Sequence, residues 1–292
     1  MEASELLQLV IAGLKNGSIY ALLALGFTIV YAATNVINFA QGEFYMLGGM
    51  LGVMGFGRLG LPMVLAVPLA VVLVAGIGML FEFTAIRPRK DAEPMALIII
   101  TVGGSLVFAS LARHLFGSDA LSLPEFTAGP SIAVAGAAVE RQTLWIWGLM
   151  VAAVAGLTLL YVMSRLGRVM RSCMQNREAA QLMGIDTARV VMISFGLAAA
   201  LGALAGVAVA PLTSTRFDIG AGLAVKGFAA AILGGLGSPL AAVGGGLLLG
   251  LIEQSVIPFS SVLKDVVALA VLLAVLFIRP QGLFARARKD KV

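Results

Sequence analysis

Long apolar runs alternate with short polar segments along this 292-residue chain. An α-helix needs about 20 apolar residues to cross the hydrocarbon layer of a bilayer. Six runs reach or approach that length, and we predict each to be a membrane-spanning helix: residues 6–33, 61–86, 95–116, 143–164, 190–212 and 262–278. This pattern predicts an all-α, polytopic integral membrane protein.

Two further apolar regions are short or interrupted. Residues 44–56 form a brief, glycine-rich stretch. Residues 225–252 are longer, but Gly234-Gly235-Leu236-Gly237-Ser238-Pro239 lies in their middle, and such a turn cannot continue a regular helix. We therefore expect about eight membrane helices, within a range of roughly eight to ten, including broken or re-entrant half-helices of the kind that mark transport paths.

Composition supports a protein that is embedded in lipid. Hydrophobic residues make up 60% of the chain and charged residues 12%, against about 25% charged in an ordinary soluble domain. Glycines spaced four apart open a groove on one helix face and allow close packing of membrane helices. Such pairs are Gly13/Gly17, Gly48/Gly52, Gly202/Gly206 and Gly246/Gly250.

The basic residues predict the orientation of the helices. Thirteen of the 20 lysines and arginines lie in residues 87–90, 165–189 and 279–292. Because cytoplasmic loops of membrane proteins collect such residues, we place these segments in the cytoplasm. Residues 116–142 and 213–226 then lie outside, together with the N-terminus. The net charge of +5 is thus explained by topology, and no nucleic-acid partner is expected.

The sequence offers little for catalysis or metal binding. It has no Gly-x4-Gly-Lys-Ser/Thr phosphate loop. Cys173 is the single cysteine, so a cysteine-based zinc site is excluded. His114 is the single histidine, and any catalytic triad would have to use it, although we expect it to be a polar residue at the outer end of a membrane helix. We expect a non-enzymatic chain that itself binds no cofactor and no metal.

Polar residues between apolar runs are the candidates for a substrate pathway. Asn35, Asn38, Gln41 and Glu43 place three amides and one carboxylate within nine residues. Amides both donate and accept hydrogen bonds, so they suit the polar end of a small solute. Equally, the segment fits a cytoplasm-side loop that caps helices. The candidate pathway residues are these four, together with Gly235, Gly237 and Ser238.

Three other acidic residues lie near predicted helix ends. We expect Glu82 to reach toward water or to pair with Arg87. Glu253 and Asp265 flank a predicted outer loop, where we expect both to lie at the membrane interface, and a pathway role for them is the less favoured alternative.

The segment 165–189 differs from the rest of the chain because polar and small apolar residues are interspersed. A helix over residues 177–183 would have one polar face and one small apolar face, and Gly184 would end it. Such a helix lies either on the membrane surface or in the groove of a partner.

Three parts of the sequence resemble branched-chain amino-acid ABC importer permeases of the LivH type. The first is Gly17-Ser18-Ile19-Tyr20-Ala21-Leu22 through Gly26-Phe27-Thr28-Ile29-Val30-Tyr31 to Asn38-Phe39-Ala40-Gln41-Gly42-Glu43. The second, Asn176-Arg177-Glu178-Ala179-Ala180 with Gly184-Ile185, is similar to the family's coupling segment, which docks in a cleft of the ATPase. The third is residues 234–239. The sequence departs from the family's pattern at Gln41, where many relatives have histidine.

The resemblance implies one transmembrane permease domain over residues 1–292, with a coupling loop at about 165–189 and a basic cytoplasmic tail at 279–292. It further implies a bacterial inner membrane, a second homologous permease, two cytoplasmic ATPases that bind ATP and magnesium, and a periplasmic binding protein. The coupling residues would be Arg177, Glu178, Ala179, Ala180, Gly184 and Ile185. A permease for urea, an amide or a polar amino acid, and an ATP-independent secondary transporter, remain alternatives.

Overall fold

The computed structural model describes residues 3–89, 92–258, 260, 263–279 and 281–284, apart from the side chains of residues 3, 177, 178 and 265. These ranges contain eleven α-helices: α1 (Ala3–Thr34), α2 (Gln41–Val53), α3 (Met63–Phe81), α4 (Pro94–Phe116), α5 (Arg141–Met163), α6 (Arg165–Gln175), α7 (Arg177–Leu182), α8 (Thr187–Thr213), α9 (Ile219–Gly234), α10 (Pro239–Val256) and α11 (Leu263–Ile278). A hairpin of β1 (Ile132–Val134) and β2 (Ala137–Val139) precedes α5. Lys90, Val262 and most of the predicted tail lie outside the described residues.

Six helical stretches of the described ranges are long and apolar enough to cross a membrane: α1, α3 with its continuation to Arg89, α4, α5, α8 and α10. The helices α9 and α11 are apolar but have only 16 residues each. The predicted all-α polytopic fold is confirmed. One detail differs: the second part of the interrupted region forms the full 18-residue helix α10.

The bundle is centred on α1 and α8, whose middle turns are almost completely buried. Helix α10 runs antiparallel to α1 and touches its backbone. A β-carbon on Gly17 would lie 2.8 Å from the α-carbon of Leu247, and one on Gly246 would lie 2.5 Å from that of Ala21. The predicted glycine spacing therefore serves close helix packing here.

Helix α2 is a half-helix that starts deep inside the bundle. Helix α1 ends at Thr34, and Asn35 adopts a positive φ of 55°, which turns the chain back between the helices. The first residue of α2, Gln41, contacts Gly26 of α1 and Ala198 of α8, each well inside its helix. The structure thus contains the predicted short helix, preceded by the non-helical residues 36–40 inside the bundle.

The break between α9 and α10 is a tight glycine turn. Gly235 and Gly237 have φ values of 118° and 107°, a region that side chains disfavour and glycine adopts freely. Pro239 then begins α10, where the missing N–H of proline costs nothing. The interruption read from the sequence therefore closes a helical hairpin.

The described basic segments gather at one end of the bundle. Thr34, Arg87 and Ala188 line one cavity, and Tyr161, Arg171 and Ser238 line another. These contacts bring together the ends of α1, α3 and α5 with the starts of α8 and α10. After α11, the backbone N–H of Leu283 donates to the carbonyl oxygen of Leu233 at 2.9 Å. We call this the basic end, and the opposite end, which carries β1 and β2, the hairpin end.

Candidate functional site

The polar segment that precedes and opens α2 is buried in the bundle. Asn38, Gln41 and Glu43 are at most 1% exposed. The Asn38 Oδ1 accepts the N–H of Ala40 at 3.1 Å, and the Gln41 Nε2 donates to the carbonyl oxygen of Ala198 at 2.8 Å. The Ser105 hydroxyl of α4 donates to Glu43 Oε1 at 3.0 Å. This cluster fixes the half-helix against its neighbours.

Each of these side chains keeps one buried atom that lacks a hydrogen bond: Asn38 Nδ2, Gln41 Oε1 and Glu43 Oε2. Unsatisfied buried polar atoms are costly, and their presence calls for an explanation in the function or in bound water. They therefore retain hydrogen-bonding capacity inside the apolar bundle.

The two predicted pathway regions do not form one site. Glu43 lies against Gly220 in the first turn of α9, whereas Gly235 follows the last turn of that helix. At 1.5 Å per residue, these positions are roughly 22 Å apart. Gly235, Gly237 and Ser238 lie at the basic end, and Asn35 is exposed near it.

A larger feature, absent from the sequence prediction, is a groove toward the hairpin end. The hairpin-end groove has a volume of about 600 Å³ and lies between α1, α2, α8, α9 and α11. Its walls include the apolar residues Ile19, Val209, Leu223, Ala268 and Leu269, the tyrosines Tyr20 and Tyr45, and two lysines, Lys226 and Lys264.

Both lysines of the groove reach one buried carboxylate. Lys226 Nζ lies 2.7 Å from Glu253 Oε1, and Lys264 Nζ lies 3.7 Å from the same oxygen. The side chain of Glu253 is 0% exposed, and its Oε2 has no hydrogen bond. Glu253, which we expected at the membrane interface, is thus enclosed within the bundle, because the α9–α10 hairpin carries Lys226 back against it. Lys226 itself lies in α9 rather than in the predicted outer loop, and the side chain of Asp265 lies outside the described residues.

Sequence reasoning missed Tyr20, Tyr45, Lys226 and Lys264 as members of a site. One signal was available: Lys226 is a lone cation next to the start of a long apolar run, and ionisable residues at membrane depth are rare and usually functional. Its partner lies 27 positions away, a distance that no helical spacing links.

Glu82 also differs from its prediction of reaching toward water. It is 2% exposed in the π-helical turn Glu82–Ile86, and it lines a cavity of about 50 Å³ with Arg87. Glu82 and Arg87, for which pairing was one of the two expectations, line the same cavity.

The segment between α5 and α8 forms two short helices with capped starts. Ser164 Oγ accepts the N–H of Gly167 at the start of α6, and Asn176 Oδ1 accepts the N–H of Ala179 at the start of α7. Gly184 ends α7 with a φ of 81°, and the N–H of Ile185 donates to the carbonyl oxygen of Ala180. This is a glycine-based C-cap, as the sequence predicted.

One face of α7 is exposed and apolar. Leu182 and Met183 are 90% and 83% exposed, whereas Ala180 is buried against the bundle. The side chains of Arg177 and Glu178, two of the predicted coupling residues, lie outside the described part of the chain. Exposed large apolar side chains outside the membrane helices suit contact with a partner or with the membrane surface.

The described side chains contain no group of three or more His, Cys, Asp or Glu that is placed to hold a metal ion. His114 lies in the last turn of α4, and Cys173 is a buried thiol on α6. Neither belongs to the groove or to the α2 cluster.

A bundle of apolar helices with a half-helix, a helix break and buried ionisable groups defines a polytopic transport protein of the membrane. Comparison of sequences makes this class specific. The chain belongs to the family described as "Branched-chain amino acid transport system / permease component", whose family model matches residues 9–276. The resemblance stated from the sequence motifs is thereby confirmed, and the chain is the membrane-spanning permease component of a transport system.

Relatives cover nearly the full length of the chain. BraD of Pseudomonas aeruginosa, a high-affinity branched-chain amino acid transport system permease protein, is 32% identical over 100% of this chain and 99% of its own length. LivH of Escherichia coli K12, which has the same designation, is 33% identical over 98% and 97%. The ribose import permease protein RbsC of Escherichia coli K12 is 27% identical over 90% and 83%.

Proposed function

We propose that this chain is a permease subunit of an ATP-driven importer of branched-chain amino acids in the bacterial inner membrane. The designations of BraD and LivH support this substrate class. In this proposal residues 1–292 act as one permease domain beside a second homologous permease. Two cytoplasmic ATPases bind ATP and magnesium, and a periplasmic binding protein delivers the substrate.

The exposed apolar face of α7 is the observation that carries the ATPase coupling. Leu182 and Met183 project from the basic end, where water would otherwise surround them. Covering these side chains in the cleft of an ATPase removes apolar surface from water, which favours docking. Ala179 is small and exposed beside them, so a partner surface can approach the helix backbone closely.

The basic end faces the cytoplasm in this proposal, and the N-terminus and the β1–β2 hairpin face the periplasm. Substrate would enter at the hairpin-end groove and pass the cluster of Asn38, Gln41 and Glu43. It would leave near Gly235, Gly237 and Ser238 at the basic end. The half-helix α2 contributes to both of the first two regions, because Tyr45 lines the groove.

The coupling is tested with the assembled transporter in proteoliposomes. The double variant Leu182→Glu/Met183→Glu should lose ATPase subunits on purification and abolish ATP-dependent leucine uptake. The control Gln175→Glu adds a charge at an exposed position of the neighbouring helix α6. This variant should keep its ATPase subunits and its ATP-dependent leucine uptake. If α7 only rests on the membrane surface, the double variant retains its ATPase subunits, and the coupling proposal fails.

The same preparation separates the rival functions. Uptake of leucine that persists with a catalytically inactive ATPase would identify a secondary transporter. ATP-dependent uptake of urea, an amide or a polar amino acid, without uptake of leucine, would identify the other importer class.

A further inference from the structure

The hairpin-end groove has the size and lining of a small-molecule site. Ligand sites commonly have volumes of about 300–1,000 Å³, with mostly apolar walls and a few placed polar groups. The groove has about 600 Å³, and its two lysines lie on α9 and α11, whereas Ile19 and Val209 come from α1 and α8. An elongated aliphatic molecule with one charged end matches this arrangement.

The two lysines are held differently. Lys226 is within hydrogen-bond distance of Glu253, at 2.7 Å, and its side chain is 15% exposed. Lys264 lies 3.7 Å from the same oxygen, which is beyond a hydrogen bond, and 34% of its side chain is exposed. Since an ammonium group has three donors, Lys264 can bind an acceptor in the groove without leaving Glu253.

The position of Lys264 in its helix also favours an anion beside it. This residue is in the first turn of α11, where the helix dipole disfavours a cation and favours an anion. Glu253 is completely buried, and its Oε2 has no hydrogen bond. The fixed carboxylate holds both ammonium groups at the groove edge, so we regard Glu253 as a positioning residue.

We propose that the hairpin-end groove binds the carboxylate of an aliphatic amino acid through Lys264, with the aliphatic side chain against the apolar wall. The inference deepens the proposed function and rests on it, because it assigns the amino acid a binding place in the permease itself.

A cysteine in the groove reports on occupancy. Cys173→Ser removes the single cysteine of the chain, and Gly222→Cys then adds one thiol at a groove position with open space around it. The assembled transporter carrying both changes is treated with a thiol reagent in the presence of leucine, 4-methylpentanoate, which lacks the ammonium group, or leucinol, which lacks the carboxylate.

Leucine and 4-methylpentanoate should both slow the labelling, and leucinol should need at least tenfold higher concentrations for the same protection. Lys264→Gln should raise the half-protecting concentration of leucine at least tenfold and leave that of leucinol unchanged, and Lys264→Arg should restore most of the affinity. The control Lys15→Gln removes a lysine that pairs with Glu140 away from the groove. It should leave the half-protecting concentrations of leucine and leucinol unchanged.

Equal protection by leucinol and leucine, or unchanged leucine protection in Lys264→Gln, would overturn the carboxylate site. Leucine uptake by the same preparations separates the two proposals. If the unmodified transporter imports no leucine, the proposed function fails and this inference fails with it. If uptake is normal and its KM is the same in Lys264→Gln, the inference fails alone.

Discussion

Gly26 of α1 and Gln41 of α2 are in direct contact, and a β-carbon added to Gly26 would lie 2.6 Å from the Cδ of Gln41. The amide of Gln41 occupies the space that glycine leaves open, and from there it donates to the carbonyl oxygen of Ala198. The position of the half-helix therefore depends on a missing side chain in another helix.

This contact predicts an energetic coupling between the two residues. Gly26→Ala should destabilise the fold by about 1–3 kcal/mol, because the added methyl displaces the amide from its hydrogen bond. The same change in a Gln41→Ala background should cost about 1 kcal/mol less. A double-mutant cycle on thermal unfolding in detergent measures the difference, and additive costs would contradict the prediction. Gly76→Ala, where nothing lies within 4 Å, is the control.

Gly246→Val should prevent close packing of α1 and α10. Its β-carbon would lie 2.5 Å from the α-carbon of Ala21, and a helix backbone cannot rotate away as a side chain can. We expect destabilisation on the order of 3 kcal/mol, seen as little folded protein in size-exclusion chromatography. Gly148→Val has open space and should fold like the wild type. Similar yields of the two variants would contradict the packing.

Lys226→Met should destabilise the bundle by about 3–5 kcal/mol, because it leaves the buried Glu253 with only the more distant Lys264. The double variant Lys226→Met/Glu253→Leu removes the stranded charge and should recover most of the loss. Thermal unfolding of both variants in detergent tests the pair, and a double variant no more stable than the single one would argue against it.

Gly184→Val should weaken the end of α7 and uncouple ATP hydrolysis from uptake. The φ of 81° costs a β-branched residue about 1–2 kcal/mol, whereas Gly184→Asn should be nearly normal because asparagine tolerates this conformation. The comparison uses stimulated ATPase activity and leucine uptake of the assembled transporter. Full activity of the valine variant would show that the turn is dispensable.

The proposed orientation predicts opposite labelling of two positions. In the Cys173→Ser background, Ser118→Cys lies toward the hairpin end and Gln175→Cys at the basic end, and both positions are exposed. A membrane-impermeant maleimide should label position 118 in spheroplasts and position 175 only after permeabilisation. Labelling of position 175 in spheroplasts, with position 118 labelled only after permeabilisation, would contradict the proposed orientation.

Sequence patterns were sufficient for most of the helices, since the length and hydropathy of a span are local properties. The predicted spans correspond to α1, α3, α4, α5, α8 and α11 within a few residues at each end. The glycine stop of α7 was readable for the same reason, because it depends on neighbouring residues.

The hydropathy and residue patterns of the sequence do not show which distant residues pack together. The burial of Glu253 depends on a partner that the α9–α10 hairpin brings to it, and the depth of Gln41 depends on Gly26 and Ala198. Gly235 and Glu43 both lie at interruptions of apolar runs, and the sequence does not say how far apart these interruptions are. The length of α9 separates them, and only the packed bundle shows this.

The burial of α8 along most of its length has a mechanical consequence. It is joined to α7 by a short turn, across which Gln181 Nε2 donates to Thr187 Oγ1 at 2.8 Å. Its 27 residues span about 40 Å, and Val209 and Thr213 near its far end line the hairpin-end groove. In the proposed assembly, a push on α7 by an ATPase would therefore act on the groove wall through one continuous helix, so that force applied at the basic end would change the shape of the groove toward the hairpin end.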